Sequence, residues 1–265
     1  MVIPIHDDNP VRRVPVITYL LIALNFVVFL TEPVVSQIGV GNQTRVQACQ
    51  QAAYFDKYAA IPKELTHNVQ LPHPIELVTA PTGQQVCVRA PAPTYQKNPV
   101  LSVLFAMFLH GGWLHILGNM LFLWVFGNNV EDRMGRVAFV LFYLFCGYVA
   151  TYGFAFGAPD STTTLVGASG AIAGVLGAYI VLFPTARVTS LVPIAIVLLP
   201  IRLPAWLVLG GWFLLQWLYS SGTAVASGAG VAYLAHVFGF VAGAAIAFLA
   251  RPWLTRGTGV TSGSV

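Results

Sequence analysis

Ser169 stands in Gly167-Ala-Ser-Gly170, at the head of an apolar stretch that carries no charge until Arg187. A second apolar stretch, 231–250, holds His236 as its one group able to titrate near neutral pH. An ionisable side chain inside a membrane helix is expensive and marks a functional site with a partner to be named. A serine hydroxyl is a weak nucleophile that an adjacent base must activate, and histidine is the usual base. The pair predicts acyl-transfer chemistry inside a bilayer, with Ser169 as nucleophile and His236 as general base. A triad would add a carboxylate to orient the imidazole. After Asp132 the chain has one acidic residue, Asp160, in a turn, so any hydrolase here runs on a dyad.

The developing oxyanion needs hydrogen-bond donors. His115 and Asn119 fall at i and i+4, on one helical face among Trp113, Leu117, Met120 and Leu121, where an amide without a partner would be costly. With the Ser169 backbone N–H they make a candidate oxyanion site. Each residue also has a plainer reading. A serine in a membrane helix commonly bonds its own backbone, a buried histidine commonly serves structure, and His115 and Asn119 would also suit helix contacts or a transport path. The Gly-x-Ser-x-Gly elbow of α/β-hydrolases is absent, because residue 171 is Ala. Their joint occurrence at compatible depths on three helices carries the argument.

The elements that must position these groups are apolar. Of 265 residues, 57% are hydrophobic and 8% charged, against about 25% charged in ordinary soluble domains, so the chain reads as an all-α integral membrane protein. Apolar windows lie at 15–31, 101–126, 137–157, 168–183, 203–219 and 231–250, and about 17–25 residues cross a bilayer. Six spans are expected. The run 188–201, broken by Pro193 and Pro200, reads as a re-entrant or interfacial lead-in to the fifth span, with a seventh, broken span as the alternative.

Arg12, Arg13, Arg133, Arg136, Arg187, Arg202, Arg251 and Arg256 flank one set of span ends, while the turns 158–166 and 220–230 carry no Lys or Arg. The positive-inside rule then places both termini in the cytoplasm and 32–100, 158–166 and 220–230 outside. The net charge of +4 follows from this bias and gives no reason to expect nucleic acid. The first span is a signal anchor by this reading, since no A-x-A site follows it. Five units are expected: a cytoplasmic arm 1–14, a first span 15–31, a long outward insertion 32–100, a bundle 101–250 and a flexible cytoplasmic tail 251–265.

Within the insertion, 47–60 suits an amphipathic helix at the interface and Gln85–Arg89 looks extended. Cys49 and Cys87 both fall there, where an oxidising compartment allows a disulfide; the sequence leaves that pairing open. Cys146 reads as a small apolar residue. In the bundle, Gly170-x-x-x-Gly174 and Gly239-x-x-x-Gly243 predict that spans four and six touch, since small residues let helix backbones approach in lipid. No cofactor is expected. No metal is expected either, because the six His are scattered and no Cys/His cluster has ligand spacing.

Taken together, His110-Gly-Gly-Trp-Leu-His115-Ile-Leu-Gly-Asn119, Phe126-Gly-Asn-Asn-Val-Glu131-Asp-Arg133-Met-Gly135, Gly167-Ala-Ser169-Gly170-Ala-Ile-Ala-Gly174 and Ala235-His236-Val-Phe-Gly239-Phe-Val-Ala-Gly243 resemble the rhomboid intramembrane serine proteases. The start, Ile5 to Arg13, looks like bacterial members. The resemblance covers nearly everything except 32–100. It implies a six-helix rhomboid bundle in the cell membrane that cleaves transmembrane protein substrates near the outward face. Water would reach the dyad from outside, and the loop between spans five and six would act in substrate entry.

The resemblance also implies residue roles: Ser169 and His236 catalytic, His115 and Asn119 in the oxyanion site, Gly167 allowing close approach at the helix head. His110 would support the outward loop, and Glu131 with Arg133 would form a Glu-x-Arg tether. One departure stands out. The family often has an aromatic four positions after the serine, stacked on the histidine, and here that position is Ala173. Phe238 or Phe240 is the expected substitute. The rival readings are an inactive rhomboid-like protein that binds membrane clients, and a transporter with His115, Asn119 and His236 along a polar path.

Overall fold

The computed structural model describes residues 2–33, 45–81, 83, 85–194, 197–221 and 232–254. The expectations for the turn 220–230 and for most of the tail 251–265 therefore lie largely outside the described residues. The chain is mostly helical. Its elements are β1 (Ile3–Asp7), α1 (Val16–Thr31), α2 (Arg45–Tyr58), α3 (Pro62–His67), β2 (Ile75–Thr79), β3 (Gln85–Arg89), α4 (Pro99–Ala106) and α5 (Trp113–Phe122). A single π-helical turn (Leu123–Gly127) leads into α6 (Asn128–Met134), followed by α7 (Arg136–Gly157), α8 (Ser169–Leu182), β4 (Arg187–Ile194), β5 (Val197–Pro204), α9 (Ala205–Ser221) and α10 (Tyr233–Leu254).

α7 and α10, each of 22 residues, are long and apolar enough to cross a membrane; α1 and α8 are apolar but shorter. The core gathers α1, α5, α7, α8, α9 and α10 around Phe126, Phe139, Tyr143, Leu176 and Tyr179. Three glycine seams close it. A methyl group on Gly177 would overlap the carbonyl of Phe240, one on Gly239 the carbonyl of Gly170, and one on Gly243 the carbonyl of Gly174. The backbones of α8 and α10 therefore touch, as the two Gly-x-x-x-Gly patterns predict.

Three expectations need correction. The fold is not purely helical: β1, β4 and β5 form one antiparallel sheet, and β2 pairs with β3 in another. The run 188–201 holds the antiparallel pair β4–β5, which leads into α9 and is not a seventh, broken helical span. Val188, Thr189, Val192 and Ile201 favour strand, and Pro193 and Pro200 are hostile to helix. The window 101–126 is not one helix. Asn98 caps α4 by accepting from the Leu101 N–H at 3.1 Å, and α4 ends at Ala106. His110-Gly-Gly112 then lies between helices, and a new helical run starts at Trp113 and continues through the π turn to Met134.

The amino-terminal arm is pinned under α8. Asp7 is buried and accepts from the Tyr179 hydroxyl at 2.6 Å and the Asn129 amide at 2.7 Å. Residues 45–98 fold as a small unit of α2, α3 and the β2–β3 hairpin, closed by a Cys49–Cys87 disulfide. Lys97 reaches its buried Glu64 partner at 2.7 Å. The unit grips the bundle through Ala60, whose carbonyl accepts from the Leu165 N–H at 2.7 Å, two residues before Gly167.

Candidate active site

Ser169 is the first residue of α8, where a helix leaves its leading N–H groups without intrahelical acceptors. The chain enters through Gly167, whose N–H donates to the Ala106 carbonyl at 2.8 Å and whose φ of +117° favours glycine. Space also demands glycine here. A methyl group on Gly167 would lie 2.7 Å from His115 Nε2 and 3.6 Å from Ser169 Oγ, so both side chains approach the same glycine.

His236 comes from α10, whose first turn faces the head of α8. Its Nε2 lies 2.8 Å from Ser169 Oγ. The opposite nitrogen, Nδ1, lies 2.7 Å from the Oε1 of Gln216 on α9. A carboxamide oxygen only accepts, so Nδ1 carries the proton and Nε2 presents a lone pair to the serine hydroxyl. The imidazole is 9% exposed and Gln216 6%, a polar pair inside an apolar bundle.

Aromatic support comes from α9 instead of α8. Trp212 lies against the His236 ring at 5.8 Å between centroids, and Tyr233 meets it edge-on at 6.5 Å. Neither expected phenylalanine does this. Phe238 fills the space beside Gly153 of α7, and Phe240 stacks on Phe213. Ala173 is fully buried in the helix core, where Trp212 on the neighbouring helix makes an aromatic on α8 unnecessary.

His115 and Asn119 both lie on α5. His115 Nδ1 accepts from the Gly111 N–H at 3.3 Å, which leaves its proton on Nε2, the nitrogen that faces Gly167. Asn119 is buried, and its amide nitrogen has no hydrogen-bond partner. A buried donor without a partner is costly, and an incoming oxyanion or water would satisfy it. Beside Ser169 lies a cavity of about 30 Å³, lined by Met107, Gly147, Thr151, Val166 and Ala235, with room for about one water molecule. A larger cavity of about 360 Å³, between Leu24, Tyr58 and Phe105, is apolar and remote from these polar groups.

The remaining expected residues hold the frame. His110 is fully buried; its Nδ1–H donates to the Phe108 carbonyl at 3.2 Å, and its ring meets that of His115 edge-on at 5.1 Å. Its backbone N–H donates to both oxygens of Glu32 at 3.2 Å, so it tethers the loop to the end of α1. Glu131 is a cap. Its carboxylate accepts from the backbone N–H groups of Ile17 and Thr18 at 3.0 and 2.7 Å and from the Thr18 hydroxyl at 2.8 Å, at the positive end of α1. Arg133 instead lies over the Phe183 ring at 5.0 Å. Gly170, Gly239 and Gly243 form the α8–α10 seam already described.

Sequence reasoning missed Gln216 and Trp212. The available signal was an amide inside the apolar helix 205–221. Among the described residues no group of three His, Cys, Asp or Glu is placed to hold a metal ion.

Residues 97–253 match the Rhomboid domain. "RHOMBOID-like protein 6, mitochondrial" of Arabidopsis thaliana is 35% identical over 83 residues, 31% of this chain and 26% of that protein. "Rhomboid-like protein 11, chloroplastic" of the same plant is 39% identical over 69 residues, 26% and 24% of the two chains. "Presenilin-associated rhomboid-like protein A, mitochondrial" of Danio rerio is 32% identical over 107 residues, 40% and 26%. The chain thus spans about a quarter of the length of these relatives. None of the three is bacterial, so they add nothing to the bacterial likeness of the amino-terminal motif. Since the domain match covers more than half of the 265 residues, and its span contains both Ser169 and His236, the chain belongs to the membrane-embedded rhomboid family.

Proposed function

We propose that this chain is an intramembrane serine endopeptidase acting on transmembrane protein substrates. Six spans, both termini in the cytoplasm and a site open to the outer face of the cell membrane complete the reading. The observation that carries it is the 2.8 Å approach of His236 Nε2 to Ser169 Oγ across the α8–α10 seam. Two polar side chains are brought into register there by helices whose backbones are in contact.

His236 removes the hydroxyl proton as Ser169 Oγ attacks the scissile carbonyl carbon. The tetrahedral oxyanion is received by the Ser169 N–H, His115 Nε2–H and the Asn119 amide, donors fixed before the charge appears. Collapse of the intermediate breaks the C–N bond, and His236 passes its proton to the leaving amine. The acyl-enzyme on Ser169 is then opened by water entering beside the serine, with His236 again as base, and the freed carboxyl group departs. No carboxylate joins the relay.

Ser169→Ala should reduce cleavage of a reconstituted transmembrane substrate to background while the helical signal and unfolding midpoint stay unchanged. Undiminished cleavage would remove the dyad. A fluorophosphonate probe should label Ser169, located by mass spectrometry. An intact protein that resists the probe would be an inactive client binder or a transporter instead.

A further inference from the structure

The catalytic histidine has a third partner. We infer that Gln216 is a positioning residue for His236, fixing the imidazole in the one neutral tautomer that can act as a base toward Ser169. This inference rests on the hydrolase reading above and adds a residue to that site.

Neutral imidazole has two tautomers, and in an apolar bundle neither has a solvent-given advantage. If the proton sat on Nε2, that nitrogen would donate toward Ser169 Oγ and could not accept the serine proton. The geometry selects the other form. Gln216 Oε1 lies 2.7 Å from Nδ1, and an amide oxygen has lone pairs but no proton, so the contact exists only with the proton on Nδ1. In a hydrolase triad a carboxylate does this job and also stabilises the imidazolium by charge. A carboxamide keeps the orienting role and gives up the charge, which avoids an ionised carboxylate at membrane depth.

α9 supplies the seat as a unit. Trp212 and Gln216 are four residues apart, on one face, and meet the same imidazole from two sides: Trp212 at the ring face, Gln216 at the Nδ1 edge. Together they fix rotation about both side-chain bonds of His236. The α9 helix thereby replaces both the aromatic that Ala173 lacks and the carboxylate that the chain lacks.

The orientation of the Gln216 amide decides the outcome. Turned over, its NH₂ would donate to Nδ1, place the histidine proton on Nε2 and leave the dyad in the wrong form. The test measures the tautomer directly on the full chain in lipid nanodiscs. Nitrogen-15 histidine spectra, with the His236 signals identified by their loss in His236→Ala, should show a proton on Nδ1 and a bare Nε2 near neutral pH. A proton on Nε2 in the wild type overturns the inference.

Gln216→Met, similar in size but without the acceptor, should mix the two tautomers and lower kcat by roughly tenfold or more, as for loss of one buried hydrogen bond, with KM little changed. Gln216→Glu, which keeps an acceptor oxygen at the same reach, should recover most of that turnover. Wild-type tautomer populations and kcat in Gln216→Met would also overturn the inference. The two readings fail separately. Absence of probe labelling at Ser169 with the Nδ1–H tautomer present would sink the hydrolase, whereas labelling with a proton on Nε2 would sink the role of Gln216 alone.

Discussion

The α8–α10 seam and the small unit at 45–98 are held together by opposite means. In the seam, glycines bring two backbones into contact, and the polar link across it is the Ser169–His236 pair itself. The 45–98 unit relies on a disulfide, a buried Lys97–Glu64 ion pair and carboxylate caps such as Asp56, which accepts from the Ile75 N–H at 3.0 Å. Lipid offers no hydrophobic reward for bringing apolar helices together, so close backbone packing must do it. A unit of about fifty residues buries only a small core of its own, and covalent and ionic staples supplement it.

The seam should therefore break under added volume, and the 45–98 unit under lost cross-links. The largest effect is expected at Gly243, where a side chain would run into the Gly174 backbone, which cannot move aside as a flexible side chain would. Gly243→Val should cost about 3 kcal/mol or more in detergent unfolding, the upper end of overpacking penalties, and should abolish proteolysis by separating His236 from Ser169. If that variant kept normal stability and turnover, direct backbone contact between α8 and α10 would be wrong.

Removing the staple should have a comparable energy but a different address. The disulfide closes a 38-residue separation, worth at most about 4 kcal/mol in the chain-entropy account. Cys49→Ser with Cys87→Ser should make 45–98 susceptible to limited proteolysis while Ser169 still reacts with a fluorophosphonate. Loss of labelling in this variant would mean that the Ala60–Leu165 link holds the serine loop in place, and the two regions would no longer be independent.

A smaller change is expected at Asn119, one of the three proposed oxyanion donors. Asn119→Ala should lower kcat by about tenfold to a hundredfold with stability kept or slightly raised, because the donor it removes has no partner in the resting protein. An unchanged kcat would take Asn119 out of the oxyanion site.

How legible was this in the sequence? The pairing of Ser169 with His236 was readable because polar groups are rare at membrane depth, and each therefore asks for a reason. The glycine patterns of spans four and six were readable for a related reason: spacing of four puts small residues on one stripe. The β1–β4–β5 sheet was not. Its outer strands lie nearly two hundred residues apart, and an apolar strand looks like an apolar helix until Pro193 and Pro200 are given their weight. The break at His110-Gly-Gly112 was hidden inside a continuous apolar window. Gln216 was missed because its role depends on the rotation of α9 against α10, which one helix's sequence does not encode.

The smallest expected effect lies outside both regions, at the end of α1, where Glu32 holds the His110 loop. Glu32 is 6% exposed, and burial pushes its carboxyl up from 4.5 to about 7, with the His110 N–H opposing the rise. Between those values the folded chain holds a proton that the unfolded chain releases. Stability should therefore be greatest below about 4.5, fall as pH climbs through 7, and level off above it. Glu32→Gln keeps an oxygen for the His110 N–H but cannot ionise, so it should lack this component. Other titrating groups, such as Lys97 with its pKa lowered by burial, contribute equally to both proteins and cancel in the difference. Unfolding midpoints in detergent at pH 5 and pH 8 should show the wild type losing more than the variant. Equal losses would mean that Glu32 ionises freely, and that the tether from α1 to the His110 loop is wetter than its burial implies.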